Sequence, residues 1–180
     1  MKYIILILLI FFGAQLTLKA DVKNWTLEQV GFLNIDKNEE DYGGFSGLII
    51  HKQGSEALLV TDKSFYFVLE LLRNEDDNLT GFSVSKKGRI LSSKGEQLTG
   101  RNTDSESIVI DANNNYFISF ESNHRIMMHA EVGGKGSFVP KHPLFRKLYV
   151  NKGIETLAID NNNRLIAIPE KPPSGISYVP

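Results

Sequence analysis

Six carboxylates fall into two matched sets. Glu106, Asp111 and Glu121 stand five and then ten residues apart, and Glu155, Asp160 and Glu170 repeat that spacing 49 residues later. A looser third copy has Ser46 in the first glutamate's place and Asp62 in that of Glu121, after one inserted residue. If equivalent positions converge, Asp62, Glu106, Glu121, Glu155 and Glu170 repel one another and need a cation or a basic group to neutralise them. Several hard oxygen ligands suit Ca²⁺ better than a transition metal. A bound Ca²⁺ could hold and polarise a phosphate and orient a water, with Glu106 and Glu155 as the carboxylates nearest the chemistry. Lys63, Arg125 and Lys152 lie close enough in sequence to serve as anion-binding partners. A second reading stays open: glutamates flanking buried strands can simply accept backbone N–H bonds from a neighbouring sheet.

Convergence requires a scaffold that places repeated units around one axis. Beyond Asp21 no helix-period stretch exceeds two turns, whereas short apolar runs bounded by Gly, Asn, Asp and Lys recur throughout, which is the all-β pattern. Strands are predicted over Glu28–Ile35, Phe45–His51, Ala57–Thr61, Ser64–Leu71, Thr80–Val84, Ile90–Gln97, Ser107–Asp111, Tyr116–Phe120, Arg125–Glu131, Phe145–Tyr149, Glu155–Asp160 and Arg164–Ile168. A repeat of roughly 50 residues with four short strands is the size of a β-propeller blade. From Phe45 onward there is room for two full antiparallel blades and the start of a third, whereas a closed propeller needs about four or more. The expectation is therefore an incomplete, propeller-like domain over residues 21–180, truncated at its C-terminus, with a sandwich-like stack of sheets that merely looks like blades as the alternative.

The ordered elements Gly43-Gly44-Phe45-Ser46-Gly47-Leu48, Val60-Thr61-Asp62, Asp104-Ser105-Glu106-Ser107-Ile108, Phe120-Glu121-Ser122-Asn123-His124-Arg125-Ile126 and Asn151-Lys152-Gly153-Ile154-Glu155-Thr156-Leu157-Ala158 resemble the phytase-like domain family, described by an esterase-like activity of phytase. The resemblance spans about Tyr42 to Glu170. It implies an exported bacterial propeller and a hydrolase acting on ester or phosphate-ester bonds of small molecules. Lys63 stands where the family often has Arg, and Ser107 and Thr156 replace its usual glycines. A complete domain of this family would be close to twice as long. The rival expectation is a non-catalytic propeller that binds a ligand or protein partner.

Other polar residues read more simply. Asp111 and Asp160 each open an Asp-x-Asn-Asn turn, for which side-chain-to-backbone bonding is explanation enough. Ser46 lacks the Gly-x-Ser-x-Gly spacing and precedes a strand, whereas a nucleophile elbow leads into a helix. Of His51, His124, His129 and His142, only His124, next to Glu121 and Arg125, is a candidate general acid or base.

The first twenty residues differ from the rest: Lys2 precedes an apolar run from Tyr3 to Phe12, and Leu18-Lys19-Ala20 ends in a small residue. This reads as a secretory signal peptide cleaved after Ala20, because about ten apolar residues fall short of the roughly 20 that span a bilayer. Without Lys2 and Lys19 the remaining 160 residues carry 18 basic and 21 acidic side chains. That mild acidity gives no footprint for nucleic acid. The absence of cysteine excludes disulfides, thiolate metal sites and a cysteine nucleophile, and suits a bacterial periplasmic or secreted protein.

Overall fold

A computed structural model of the protein describes residues 41–177, together with Thr26, Gln29 and residues 31–35. The expected signal peptide and most of the strand predicted over Glu28–Ile35 lie outside the described residues, and 31–35 is not strand. The remainder is all-β, with three antiparallel sheets and no α-helix among the described residues. No helix there is long and apolar enough to cross a membrane.

The first sheet is a meander of β1 (Phe45–His51), β2 (Glu56–Thr61), β3 (Phe65–Arg73) and β4 (Leu79–Arg89). The second repeats that order with β5 (Ser105–Ile110), β6 (Tyr116–Phe120), β7 (Arg125–His129) and β8 (Gly136–Phe138), and the third is the hairpin of β9 (Ile154–Ile159) and β10 (Leu165–Pro169). Three differences from the sequence pattern have local causes. Ile90–Gln97 is a tight turn rather than a strand: Ser92 Oγ accepts the amides of Lys94 and Glu96, leaving only a bridge between Leu91 and Gln97. Phe145–Tyr149 is mostly a one-turn 3₁₀ helix, Pro143–Lys147, because Pro143 fixes its first turn and His142 Nδ1 accepts the Leu144 amide. Strand β8 has only three residues and opens on Gly136, too short a run to show apolar alternation in the sequence.

The two faces of each sheet are used in a fixed sense. Leu58 and Val60 of the first sheet pack against Ile108, Ile118, Phe120 and Met127 of the second. The second sheet's opposite face, with Val109, Phe117 and Ile126, packs against Ile154, Leu157, Leu165 and Ala167 of the third. Alternation along each strand makes this possible, since neighbouring residues must face opposite ways. It also leaves Leu48 and Ile50 exposed at one end of the stack and Ile166 and Ile168 exposed at the other.

Serine hydroxyls pin successive sheets together. Ser46 Oγ donates to the Ser105 carbonyl at 2.5 Å, Ser105 Oγ donates to the Thr61 carbonyl at 2.6 Å, and Ser107 Oγ accepts the Leu157 amide at 3.1 Å. Ser46 is thus a cross-sheet tie, in agreement with its poor fit to a nucleophile elbow.

A candidate acidic centre at the first strands of the sheets

The repeat seen in sequence is a repeat in backbone hydrogen bonding. The amide of Asp62 donates to the Gly44 carbonyl, that of Glu121 to Asp104, and that of Glu170 to Gly153, at 2.8, 2.8 and 2.9 Å. Each carboxylate therefore closes the end of its hairpin against the residue that precedes the sheet's first strand. Strand register adds a second equivalence. Pairing skips one residue between Phe45 and Gly47, between Ser105 and Ser107, and between Ile154 and Thr156, so Ser46, Glu106 and Glu155 are each the unpaired residue of a β-bulge. A bulge re-aims the side chain it carries, which frees the two glutamates from the alternation of their strands.

The consequence is a cluster of carboxylates. One oxygen from each of Asp104, Glu106 and Glu121 lies within 4.8 Å of the others, and the same holds for Glu121, Glu155 and Glu170. Glu121 belongs to both triads and links the second sheet to the third. Of the sequence-predicted ligands, Glu106, Glu121, Glu155 and Glu170 come together. Asp62 occupies the equivalent place on the first sheet and belongs to neither triad; its Oδ1 is buried without a hydrogen-bond partner. Asp104 takes part although it was not a sequence candidate. It stands two residues before Glu106, where the later repeat has Gly153, so it has no carboxylate counterpart in the repeat.

The electrostatics follow from this crowding. Burial, and then the charges of Glu155, Asp104 and Glu121, push the Glu106 carboxyl up to about 8. Burial and the nearby Glu121 and Glu170 also raise Glu155, with Lys152 pulling the other way. At neutral pH and without a counter-ion, Glu106 therefore keeps its proton for most of the time. Lys152 Nζ pairs with Glu170 Oε1, and that bond raises the lysine's own pKa. Glu121 Oε1 accepts the Gly153 amide at 2.6 Å, so one of its oxygens is already engaged.

The remaining candidates fall in different places. Lys63 is exposed in the turn between β2 and β3. Arg125 is 2% exposed, with its guanidinium 3.8 Å from the Phe120 ring centre and bonded to the carbonyls of Asn123 and Asn102. Burial lowers it to about 10, which leaves it cationic at neutral pH. His124 sits in the turn between β6 and β7 with its Nδ1 buried, unpartnered and close to Gly153. Burial lowers its pKa, against a hydrogen bond to the Tyr149 backbone and the charge of Glu121, so the neutral imidazole is favoured.

Asp111 and Asp160 hold their turns as the spacing suggests. Asp111 Oδ1 accepts the amides of Asn113 and Asn115, and Asp160 Oδ1 accepts those of Asn162 and Arg164. Asn114 and Asn163, at equivalent positions, both adopt the left-handed conformation, with φ of 63° and 60°.

A family model described as phytase-like, esterase-like activity of phytase, matches residues 40–176. No curated protein and no solved structure matches the chain.

Proposed function

Because the chain belongs to the phytase-like family, described by an esterase-like activity of phytase, we propose that it hydrolyses ester bonds, phosphate esters foremost, at the acidic centre with the help of a divalent cation. The observation that carries this reading is the pair of carboxylate triads sharing Glu121. Their fit to a cation rests on donor chemistry: several hard oxygens crowd together, and one carboxyl is driven to keep its proton in the absence of positive charge. Asp104, Glu106, Glu121, Glu155 and Glu170 would hold the ion, and Ca²⁺ suits that number and kind of ligand. When bound, such an ion polarises a phosphoryl or carbonyl oxygen and lowers the pKa of a coordinated water.

The protein's own groups have separable tasks. Glu106 and Glu155, freed by their bulges, accept or release protons at the edge of the cluster. The Gly153 amide holds Glu121 in place through one of its oxygens. Lys152 offsets the charge of Glu170. Neutral His124, in the same turn as Glu121, is available to take up a proton.

Two further parts of the reading are ours. The three sheets act as successive propeller blades, supported by the equivalent carboxylates and bulges and by the apolar faces at both ends of the stack, which further sheets would cover. The protein works outside the cytoplasm, supported by the leader-like first twenty residues.

A competing reading, a non-catalytic propeller that binds a ligand or protein partner, draws on the Glu121–Gly153 and Lys152–Glu170 bonds, which engage two of the glutamates without any ion. Thermal unfolding in excess Ca²⁺ and in chelator, with phosphate-ester hydrolysis measured in both, separates the two. A ligand present at about a hundred times its Kd stabilises the native state by about 2.7 kcal/mol. The hydrolase reading expects a higher midpoint in Ca²⁺ and hydrolysis lost in chelator and in Glu106→Gln/Glu155→Gln. Hydrolysis that persists in both overturns it, and loss of folding in the double variant favours the structural role.

A further inference from the structure

The two ends of the stack carry the two halves of one kind of interface. Laying the repeats on one another puts Ile166 and Ile168 of β10 in the places of Leu58 and Val60 of β2, and Leu48 of β1 in the place of Ile108 and Leu157. Inside the stack these positions close on each other: Leu58 and Val60 are buried in the core that they share with Ile108. At the ends they are open, with Leu48 57%, Ile166 45% and Ile168 51% exposed. The open parts are also those that a junction uses. Successive sheets meet chiefly through the first two strands of one and the first strand of the next, β1 and β2 against β5, then β5 and β6 against β9. The third sheet presents just such a pair, β9 and β10. On the first sheet Leu48 and Ile50 of β1 are exposed, whereas Leu59 and Phe67 behind them are already buried in a cluster with Tyr42.

The polar ties repeat in the same sense. Between the second and third sheets Glu121 accepts the Gly153 amide and Ser107 Oγ accepts the Leu157 amide. Their counterparts at the two ends are Glu170 with Gly44 and Thr156 with Leu48. We propose that a second copy of the chain covers both faces: the third sheet of each copy packs on the first sheet of the other, and two copies of three sheets close a ring of six. Blade number sets the number of copies, because propellers typically close with roughly four to eight blades, so that one copy falls short and three overshoot. A head-to-tail contact of this kind makes a closed ring when its rotation allows and an open fibre when it does not. In the ring Glu170 meets the Gly44 amide of the second copy, and the carboxylates of both copies face one channel. The assignment builds on the reading of the sheets as successive blades and is independent of the hydrolase reading.

The test is sedimentation velocity of the full chain over a concentration series, followed by thiol cross-linking, to which a chain without cysteine contributes no background. A monomer–dimer equilibrium without larger species is expected. Ile166→Lys/Ile168→Lys on one face and Leu48→Lys/Ile50→Lys on the other should each weaken the dimer roughly hundredfold or more, about tenfold for each apolar side chain denied burial. All four side chains are exposed in the single chain, so the variants keep their fold. Leu48→Cys mixed with Ile166→Cys and treated with a short bifunctional maleimide should give a linked dimer, while neither variant links to itself. A chain that stays monomeric, one that grows into larger species, or a dimer indifferent to either pair of lysines overturns the assignment. A monomer does so while leaving the blade reading in place. Self-linking of either cysteine variant overturns both, because like faces would then meet.

Discussion

Glu121 accepts the Gly153 amide across the boundary between the second and third sheets, Oε1 to N at 2.6 Å, and this bond requires glycine on the other side. A Cβ at Gly153 would lie 2.7 Å from His124 Nδ1 and 2.9 Å from Glu121 Cγ. Gly153→Ala should therefore push the third sheet away from the second and cost about 1–3 kcal/mol, read as a lower unfolding midpoint. Glu121→Ala should cost a similar amount by leaving the Gly153 amide unpaired, whereas Glu121→Gln keeps an acceptor and should lose less. If the cation reading holds, Glu121→Gln still abolishes the response to Ca²⁺, so stability and Ca²⁺ response part company at this one side chain.

Proton linkage at Glu106 gives a second expectation. Its carboxyl is raised to about 8 in the folded chain, well above the roughly 4.3 of an unfolded glutamate. The native state therefore holds more protons than the unfolded state between those values, and stability in chelator should fall as pH rises from about 4.5 to about 8. Cation binding at pH 7 should expel close to one proton, detected by calorimetry in buffers of different ionisation enthalpy. In Glu106→Gln both the fall with pH and the proton release should shrink sharply. A chelated protein whose midpoint is flat across that range contradicts the crowding of Glu106.

Much of this centre was legible in the sequence, but not its closure. Spacings of five and ten exposed the equivalence of Glu106 with Glu155 and of Glu121 with Glu170, because gapless repeats preserve hairpin geometry. The same pattern located both edges of β1 and β6. Bulges are invisible at that level: one extra residue in a strand changes where Glu106 and Glu155 point without changing the apolar alternation that reveals the strand. Asp104 escapes the repeat because its partner there is Gly153, and the apolar spacing of Phe145–Tyr149 reads as a strand and hides the turn that carries Arg146. That segment folds as a 3₁₀ turn through Pro143 and the cap from His142.

The paired turns after β5 and β9 offer a test of the repeat that is independent of the acidic centre. The Asp111 carboxylate is held low by the Asn115 side chain and by the amides it accepts, and Asp160 is held low by the Arg164 amide and side chain. A carboxylate held low stabilises the fold above its unfolded pKa, and that contribution disappears as pH falls through the folded value. Asp111→Ala and Asp160→Ala should each lower the unfolding midpoint at pH 7, and the gap to the unsubstituted protein should close in acid. Asn at either position keeps the oxygen that accepts the two amides and should recover most of the loss. Unequal behaviour of the two sites would mean that their environments, and not the shared turn, dominate.

Arg125 distinguishes a side chain that positions the site from one that meets the substrate. Its two bonds go to the Asn123 and Asn102 carbonyls and its guanidinium lies over Phe120, so it clamps the turn carrying Glu121 and His124 from inside the core. Lysine cannot reproduce a planar fork that serves two carbonyls and stacks on a ring. Arg125→Lys should cost about 1–3 kcal/mol of stability by leaving one of the two carbonyls unpaired and loosening the packing on Phe120. If Arg125 acts only through that turn, the variant lowers the unfolding midpoint while phosphate affinity in the still-folded protein changes little. A large loss of affinity with an unchanged midpoint would instead make Arg125 a direct anion contact, as its place in the sequence beside Glu121 suggests. The guanidinium would then have to swing out of a pocket in which it is now 2% exposed.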